Sequence, residues 1–269
     1  MLATVAVGAC GEDDEGPRAG DLQPVHVHGL GTIPGDDALF IATHAGLFIS
    51  APGSTSAEPV GPPQDTMGFT VVGPERFLAS GHPPPGASAP PHLGLIESGD
   101  AGQSWEPVSL QGEADFHVLR FAHERVYAYD GLSGLLMLSD DGGGTWTERR
   151  PPKPVFDLAV DPGDPERFVV ATERGLLETD DDGESWRSLA KAVGLLAWLS
   201  PRQLYLVDAN GTAHVSRDGG NTWSRRGELG GLPVAFTGAR TGALYAARED
   251  GSVLESKTGG VNWELRSSP

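Results

Sequence analysis

The sequence predicts an all-β fold, a six-bladed β-propeller of four-stranded antiparallel blades, and three observations predict it. A pattern of the form S/T-x-D-x-G-x-S/T-W recurs as SGDAGQSW (Ser98 to Trp105), SDDGGGTW (Ser139 to Trp146), TDDDGESW (Thr179 to Trp186), SRDGGNTW (Ser216 to Trp223) and the looser SKTGGVNW (Ser256 to Trp263). The first residues of these copies stand 41, 40, 37 and 40 apart, and a period near 40 with strand-like flanks is the spacing of propeller blades. Upstream segments such as ALFIATH, RFVVATE and ALYAARE alternate apolar with small or polar residues, as half-buried strands do. The 38 Gly and 22 Pro among 269 residues supply turns for many short strands.

Taken in chain order, residues 1–24 read as a truncated lipoprotein signal followed by an acidic tether. Val7-Gly8-Ala9-Cys10 resembles a bacterial lipobox, in which the cysteine becomes the lipid attachment residue after cleavage, and Gly11 to Pro17 is polar and acidic as a flexible tether would be. Only nine residues, with no Lys or Arg, precede Cys10. A secretory signal needs a basic start and a longer apolar run, so a start further upstream is expected. The resemblance implies a protein of the cell envelope, lipid-anchored on the outer side of the cytoplasmic membrane, or secreted if Cys10 is unmodified. No other stretch is apolar for long enough to span a bilayer. Cys10 is the single cysteine, which excludes an internal disulfide.

Residues 25–269 form one propeller. Blade 1 spans about 25–60, with the motif decayed to GLFISAPGS, and is recognised because HGLGTIPGDDALFIATHAGL from His28 aligns without gaps on DLAVDPGDPERFVVATERGL from Asp157. Blades 2 to 6 begin near Thr66, Asp115, Val155, Gly194 and Pro233. The proline-rich run from His82 to Pro91 reads as a rigid loop inserted into blade 2. The formal charge of −18 argues against nucleic acid, since phosphate binding needs a basic face. A protein, a glycan or a metal ion remains as ligand, and a monomer is expected.

Each motif has a local reason: the Asp accepts backbone N–H groups, the Gly supplies a positive φ, and the Trp starts the next strand. Asp100, Asp141, Asp181 and Asp218 are therefore structural; Thr258 takes the place of Asp in the last copy, which weakens that turn. These segments resemble the Asp-box, or BNR, repeats of sialidases, sortilin-type receptors and photosystem II assembly factors. Bacterial proteins of this kind are often labelled glycosyl hydrolases. The sialidase reading implies three arginines gripping a carboxylate and an Arg-Ile-Pro motif. That tripeptide does not occur, and Arg120, Arg174 and Arg248 belong to separate blades. A glycosidase with two facing carboxylates is the alternative, with Asp157 and Glu173 as its candidates. A receptor or assembly scaffold is the other.

In a propeller the start of each first strand and the end of each second strand share one mouth, opposite the motif turns. The alignment puts His28, Met67, His117 and Asp157 at the first position. At the second it puts His44, His82, Asp130, Glu173 and Glu249. Four histidines thus converge from three consecutive blades, with His26 two residues before His28 on the same strand face; His123 and His214 read as surface residues. Imidazole with carboxylate suits a transition metal, zinc or copper, and Met67 adds softness toward copper. The expectation is a binding module with a metal held by His28, His44, His82, His117 and Met67.

Overall fold

The computed structural model describes residues 26–33 and 35–268, so Cys10 and the tether lie outside the described residues. The described chain forms six four-stranded antiparallel sheets, each made of four consecutive strands. The innermost strands are Val27–Thr32, Asp65–Val71, Phe116–Ala122, Val155–Asp161, Gly194–Ser200 and Pro233–Gly238. Each packs against the next and the last against the first, closing a six-bladed propeller.

The core is six clusters, one between each pair of neighbouring blades. Phe116, Leu119 and Met137 meet Leu78 and Leu95 between blades 2 and 3, and Tyr127 and Leu138 meet Leu158 and Phe168 between blades 3 and 4. The motif tryptophans Trp105, Trp146, Trp186, Trp223 and Trp263 each pack at the junction with the preceding blade. The turn geometry matches the reading from sequence. In blade 3, Asp141 Oδ1 accepts the Thr145 N–H at 2.9 Å and the Ser139 hydroxyl at 2.8 Å, while Oδ2 accepts the Thr145 hydroxyl at 2.7 Å. Asp100, Asp181 and Asp218 repeat this arrangement. In the last copy Thr258 Oγ1 accepts the Asn262 N–H at 2.8 Å, so the turn survives with a hydroxyl for a carboxylate. Gly143 has φ +99°, and a Cβ there would stand 2.0 Å from Leu95 Cδ2, so this position admits only glycine.

Blade 1 has no such turn, and the junction between blades 6 and 1 has no motif tryptophan. Arg266, on the outermost strand Glu264–Ser267 of blade 6, reaches across instead. Its buried guanidinium donates to Ser50 Oγ at 2.6 Å and to the carbonyls of Ser54, Asp37, Ser50 and Ala51 at 2.7 to 3.0 Å. The Ser268 N–H adds a bond to the Thr55 carbonyl at 3.0 Å. A cavity of about 420 Å³ opens at the mouth that carries the motif turns, lined by Val71, Arg120, Trp198 and Phe236 among others.

Candidate metal centre at the opposite mouth

The mouth away from the motif turns is built by a backbone irregularity that recurs. In blades 1, 2, 3, 4 and 6 the pairing of the first two strands slips by one residue near its start, leaving His28, Met67, His117, Phe156 and Val234 as the extra residue. Such a bulge turns its side chain out of the regular alternation. His28, Met67 and His117 thus hold equivalent places, as their alignment predicts. The fourth place belongs to Phe156, not Asp157. The gap-free match of blades 1 and 4 hides a one-residue difference in register, because Ala42 pairs Gly29 while the matching Ala171 pairs Asp157. One residue of slip sends a side chain to the other face of a strand.

The consequence for the paired carboxylates is direct. Asp157 is 3% exposed and serves as an interblade tie: it accepts the Leu196 N–H at 2.7 Å and the Leu158 N–H at 2.8 Å and pairs with Arg120. Burial pushes its carboxyl up, against the opposing pull of Arg120 and those N–H groups. Glu173 is exposed, with Arg174 as its ion-pair partner at 3.6 Å. Asp157 is thus buried in interblade bonds, and the two groups share no partner among the described residues.

Imidazoles and carboxylates do gather on blades 1 to 3. Two carboxylates organise them, each two residues before a bulge: Asp65 before Met67 and Asp115 before His117. Asp65 Oδ2 takes His82 Nδ1 at 2.9 Å, and its Oδ1 faces His28 Nε2 at 3.7 Å. Asp115 Oδ2 takes His117 Nε2 at 3.0 Å, and His82 Nε2 and His92 Nδ1 stand 3.5 and 3.9 Å away. The His82 and His92 rings meet edge to face at 5.3 Å, and His44 lies 5.5 Å from His26 and 6.3 Å from His28, centre to centre. Six of the eight histidines therefore share one mouth, four of them expected from sequence, with His26 as the extension. His123 and His214 lie elsewhere, bonded to the Asp161 carbonyl and to Asp208.

Local structure holds this cluster in place. Asp115 is 6% exposed, with its N–H donated to Asp130 Oδ1 at 2.9 Å and its carbonyl accepting the Gly131 N–H at 2.9 Å. Asp130 thus acts as a backbone clamp at this mouth. His82 and His92 stand at the two stems of the proline-rich insertion, whose base is pinned by the Leu93 N–H to the Gly81 carbonyl and the Gly112 N–H to the His92 carbonyl. Gly81 has φ +152°, and a Cβ there would lie 1.8 Å from the Asp65 carbonyl oxygen. Any side chain at this position would therefore force apart the strands that bring His82 to Asp65.

The electrostatics are unbalanced. Burial works against the Asp115 carboxylate, yet the His117 bond and the charges of His117, His82 and His92 together hold its carboxyl below the ordinary value. The same Asp115 bond raises His117. Burial, ahead of the opposing charge of Asp65, lowers His28, and the neighbouring imidazoles push the same way. Four polar atoms here are buried without a hydrogen-bond partner: His28 Nε2, Asp65 Oδ1, His92 Nδ1 and Asp115 Oδ1. Buried polar atoms are rarely left so, and together with the near-contact donors of His82, His92 and Asp115 they mark a site that could hold a metal ion.

His92 and Asp115 were not among the residues expected to bind. His92 sits just past an insertion that the other blades lack, so no alignment column points to it. Asp115 marks the start of blade 3 in the sequence, and the signal available was its offset of two residues from His117, the same as Asp65 from Met67. Met67 occupies its bulge, half-buried at the same mouth.

No protein-family model and no curated protein matches the chain. Solved structures do. A YCF48 from Cyanidioschyzon merolae is 12% identical over 90% of this chain and 85% of its own, with a TM-score of 0.57. An ancestral GH74 enzyme is 14% identical over 91% of this chain, with a TM-score of 0.58, and this chain spans only 39% of that enzyme's length. YCF48 bound to D1 peptide is 19% identical over 74% of this chain and 66% of its own, with a TM-score of 0.49. At such identities the likeness is one of fold, and the fold shared is the β-propeller.

Proposed function

We propose that this chain is an extracytoplasmic binding module, tethered through Cys10, whose histidine and aspartate mouth holds a transition metal ion, zinc or copper. The spacing of donors around Asp115 carries the reading. His82 Nε2 and His92 Nδ1 lie 3.5 and 3.9 Å from Asp115 Oδ2, beyond hydrogen-bond reach. Two ligands each about 2.1 Å from a zinc ion stand roughly 3.4 Å apart across a tetrahedral edge. The separations thus suit a shared cation.

The tautomer of His82 points the same way. In the tautomer that donates the Nδ1 proton to Asp65, the His82 ring directs its Nε2 lone pair toward an anionic oxygen, and a cation between them would remove the repulsion. His82, His92 and Asp115 would be the ligands, Asp65 orienting His82 and His117 orienting Asp115. Three protein ligands leave a coordination position for water or a ligand of the metal, as catalytic and delivery sites do and closed structural sites do not. Met67 at the same mouth makes copper the alternative to zinc.

Elemental analysis of untagged protein purified without chelators, beside a His92→Ala variant, tests the reading. Bound zinc or copper that the variant fails to retain supports it, and metal-free protein that takes up neither ion rejects it. The anchor is tested separately by Cys10→Ser, which should release the protein from the membrane fraction.

A further inference from the structure

The donors on blade 1 are not used by the centre just described. We propose that the mouth binds a second transition-metal ion at its own locus, between His28 Nε2 and Asp65 Oδ1 with His44 as third donor, so that Asp65 links two neighbouring ions. The inference rests on the first centre, since the same class of ion fills both.

His28 Nε2 and Asp65 Oδ1 are buried, face each other at 3.7 Å and have no hydrogen-bond partner. That gap is again too long for a hydrogen bond and close to the ligand spacing around zinc. The position of His28 is built, because it is the bulged residue of its blade and its neighbour Gly29 lies packed against Phe69 of blade 2, where a Cβ would come within 3.2 Å of the Phe69 Cβ. His44, just past the end of the adjacent strand, is the second imidazole, its ring centre 6.3 Å from that of His28, and would complete the donor set by swinging inward; His26 lies beyond it.

Asp65 is the link because its two oxygens face different partners. Oδ2 holds His82 Nδ1 at 2.9 Å, fixing a ligand of the first ion, while Oδ1 is free to coordinate the second. A carboxylate that orients one ligand and directly binds a neighbouring ion places the two ions side by side under one open mouth. Three protein donors leave each ion a position open to water or to a small anion or carboxylate-bearing molecule.

Zinc titration of the full chain, read by native mass spectrometry and elemental analysis, decides the matter in wild type, His28→Ala, His92→Ala and the double variant. The expected uptake is two ions, one, one and none. One ion in wild type that His28→Ala retains and His92→Ala loses would overturn the second locus and leave the first standing. Loss of both ions in His28→Ala would make the histidines a single shared site, and the two-locus arrangement would fall. No zinc in any protein rejects both centres. Should His28→Ala fail to fold by circular dichroism, His28→Gln and His44→Ala repeat the measurement with the strand packing preserved.

Discussion

Equivalent places around one mouth carry opposite chemistry in the two halves of the ring. On blades 1 to 3 the bulged residues are His28, Met67 and His117, and the residues two before them are His26, Asp65 and Asp115. On blades 4 and 6 the bulged residues are Phe156 after Pro154 and Val234 after Leu232, and blade 5, whose strands pair regularly there, has Leu195 after Val193. Phe156 and Leu232 are more than 40% exposed. Five of the six blades share the bulge, so among them the difference belongs to side chains: one scaffold supplies the position, and each repeat uses it separately. The imidazole cluster is confined to three neighbouring blades, and the bulged side chains opposite it on blades 4 and 6 are apolar, with the exposed carboxylates of Glu173 and Glu249 at the second-strand ends of the same blades.

Mutations can break this contrast, and the deepest effect is expected at its centre. Asp115→Ala should abolish uptake of the ion held with His82 and His92 and leave the one between His28 and Asp65, a greater loss at the first locus than the roughly 10–100-fold that removal of an orienting partner costs, while circular dichroism shows an intact propeller. Gly81→Ala comes next: by separating the strands at Asp65 and His82 it should weaken zinc affinity and also lower the unfolding midpoint, which isothermal and thermal titration would read together. His117→Ala should weaken binding by about 10–100-fold, the cost of an orienting partner, with stoichiometry unchanged. Phe156→His sharpens the contrast from the apolar side. It places an imidazole at the matching bulge but with no carboxylate at the preceding pair position, so metal stoichiometry should not rise; a gain of one ion would mean that imidazoles alone suffice.

The smallest effect belongs to the far mouth. The Ser185 hydroxyl and N–H, with the Thr179 hydroxyl, hold the Asp181 carboxyl down to about 2, against about 3.9 in an unfolded chain. A depressed carboxyl stabilises fully above the unfolded value, and that contribution fades as pH falls through the folded one. The unfolding midpoint should therefore drop between about pH 4 and 2, and less steeply in Asp181→Asn. Zinc binding measured at neutral pH should not change in that variant, since the turn lies on the opposite face.

The propeller was legible because its signal is repeated and local. An Asp, a Gly and a Trp at fixed offsets are required by turn geometry and interblade packing in every copy, and five copies average out the departures at Thr258 and Asn262. The first-strand starts were legible for the same reason, which is how His28, Met67 and His117 could be aligned. The rest was hidden by events that occur once. The insertion after His82 moved His92 outside the repeat, and a one-residue change in the hairpin of blade 4 kept the alignment gapless while exchanging Phe156 for Asp157. Side-chain alternation makes such a slip decisive for a site yet invisible to a fold.

Arg266 has a further consequence, for the order in which the molecule comes apart. Because each sheet uses four consecutive strands, among the described residues no strand from one terminal blade is woven into the other, and the first and last blades meet side by side. Their outer edge is held by one guanidinium on four carbonyls and a serine, with the Ser268 N–H on the Thr55 carbonyl beside it. Amide hydrogen exchange should be fastest across this seam, so that the ring opens like a bracelet at its clasp. The histidines of blade 1 lie at the mouth opposite that clasp, and a metal ion bound between blades 1 and 2 would leave the opening to proceed on the blade 6 side.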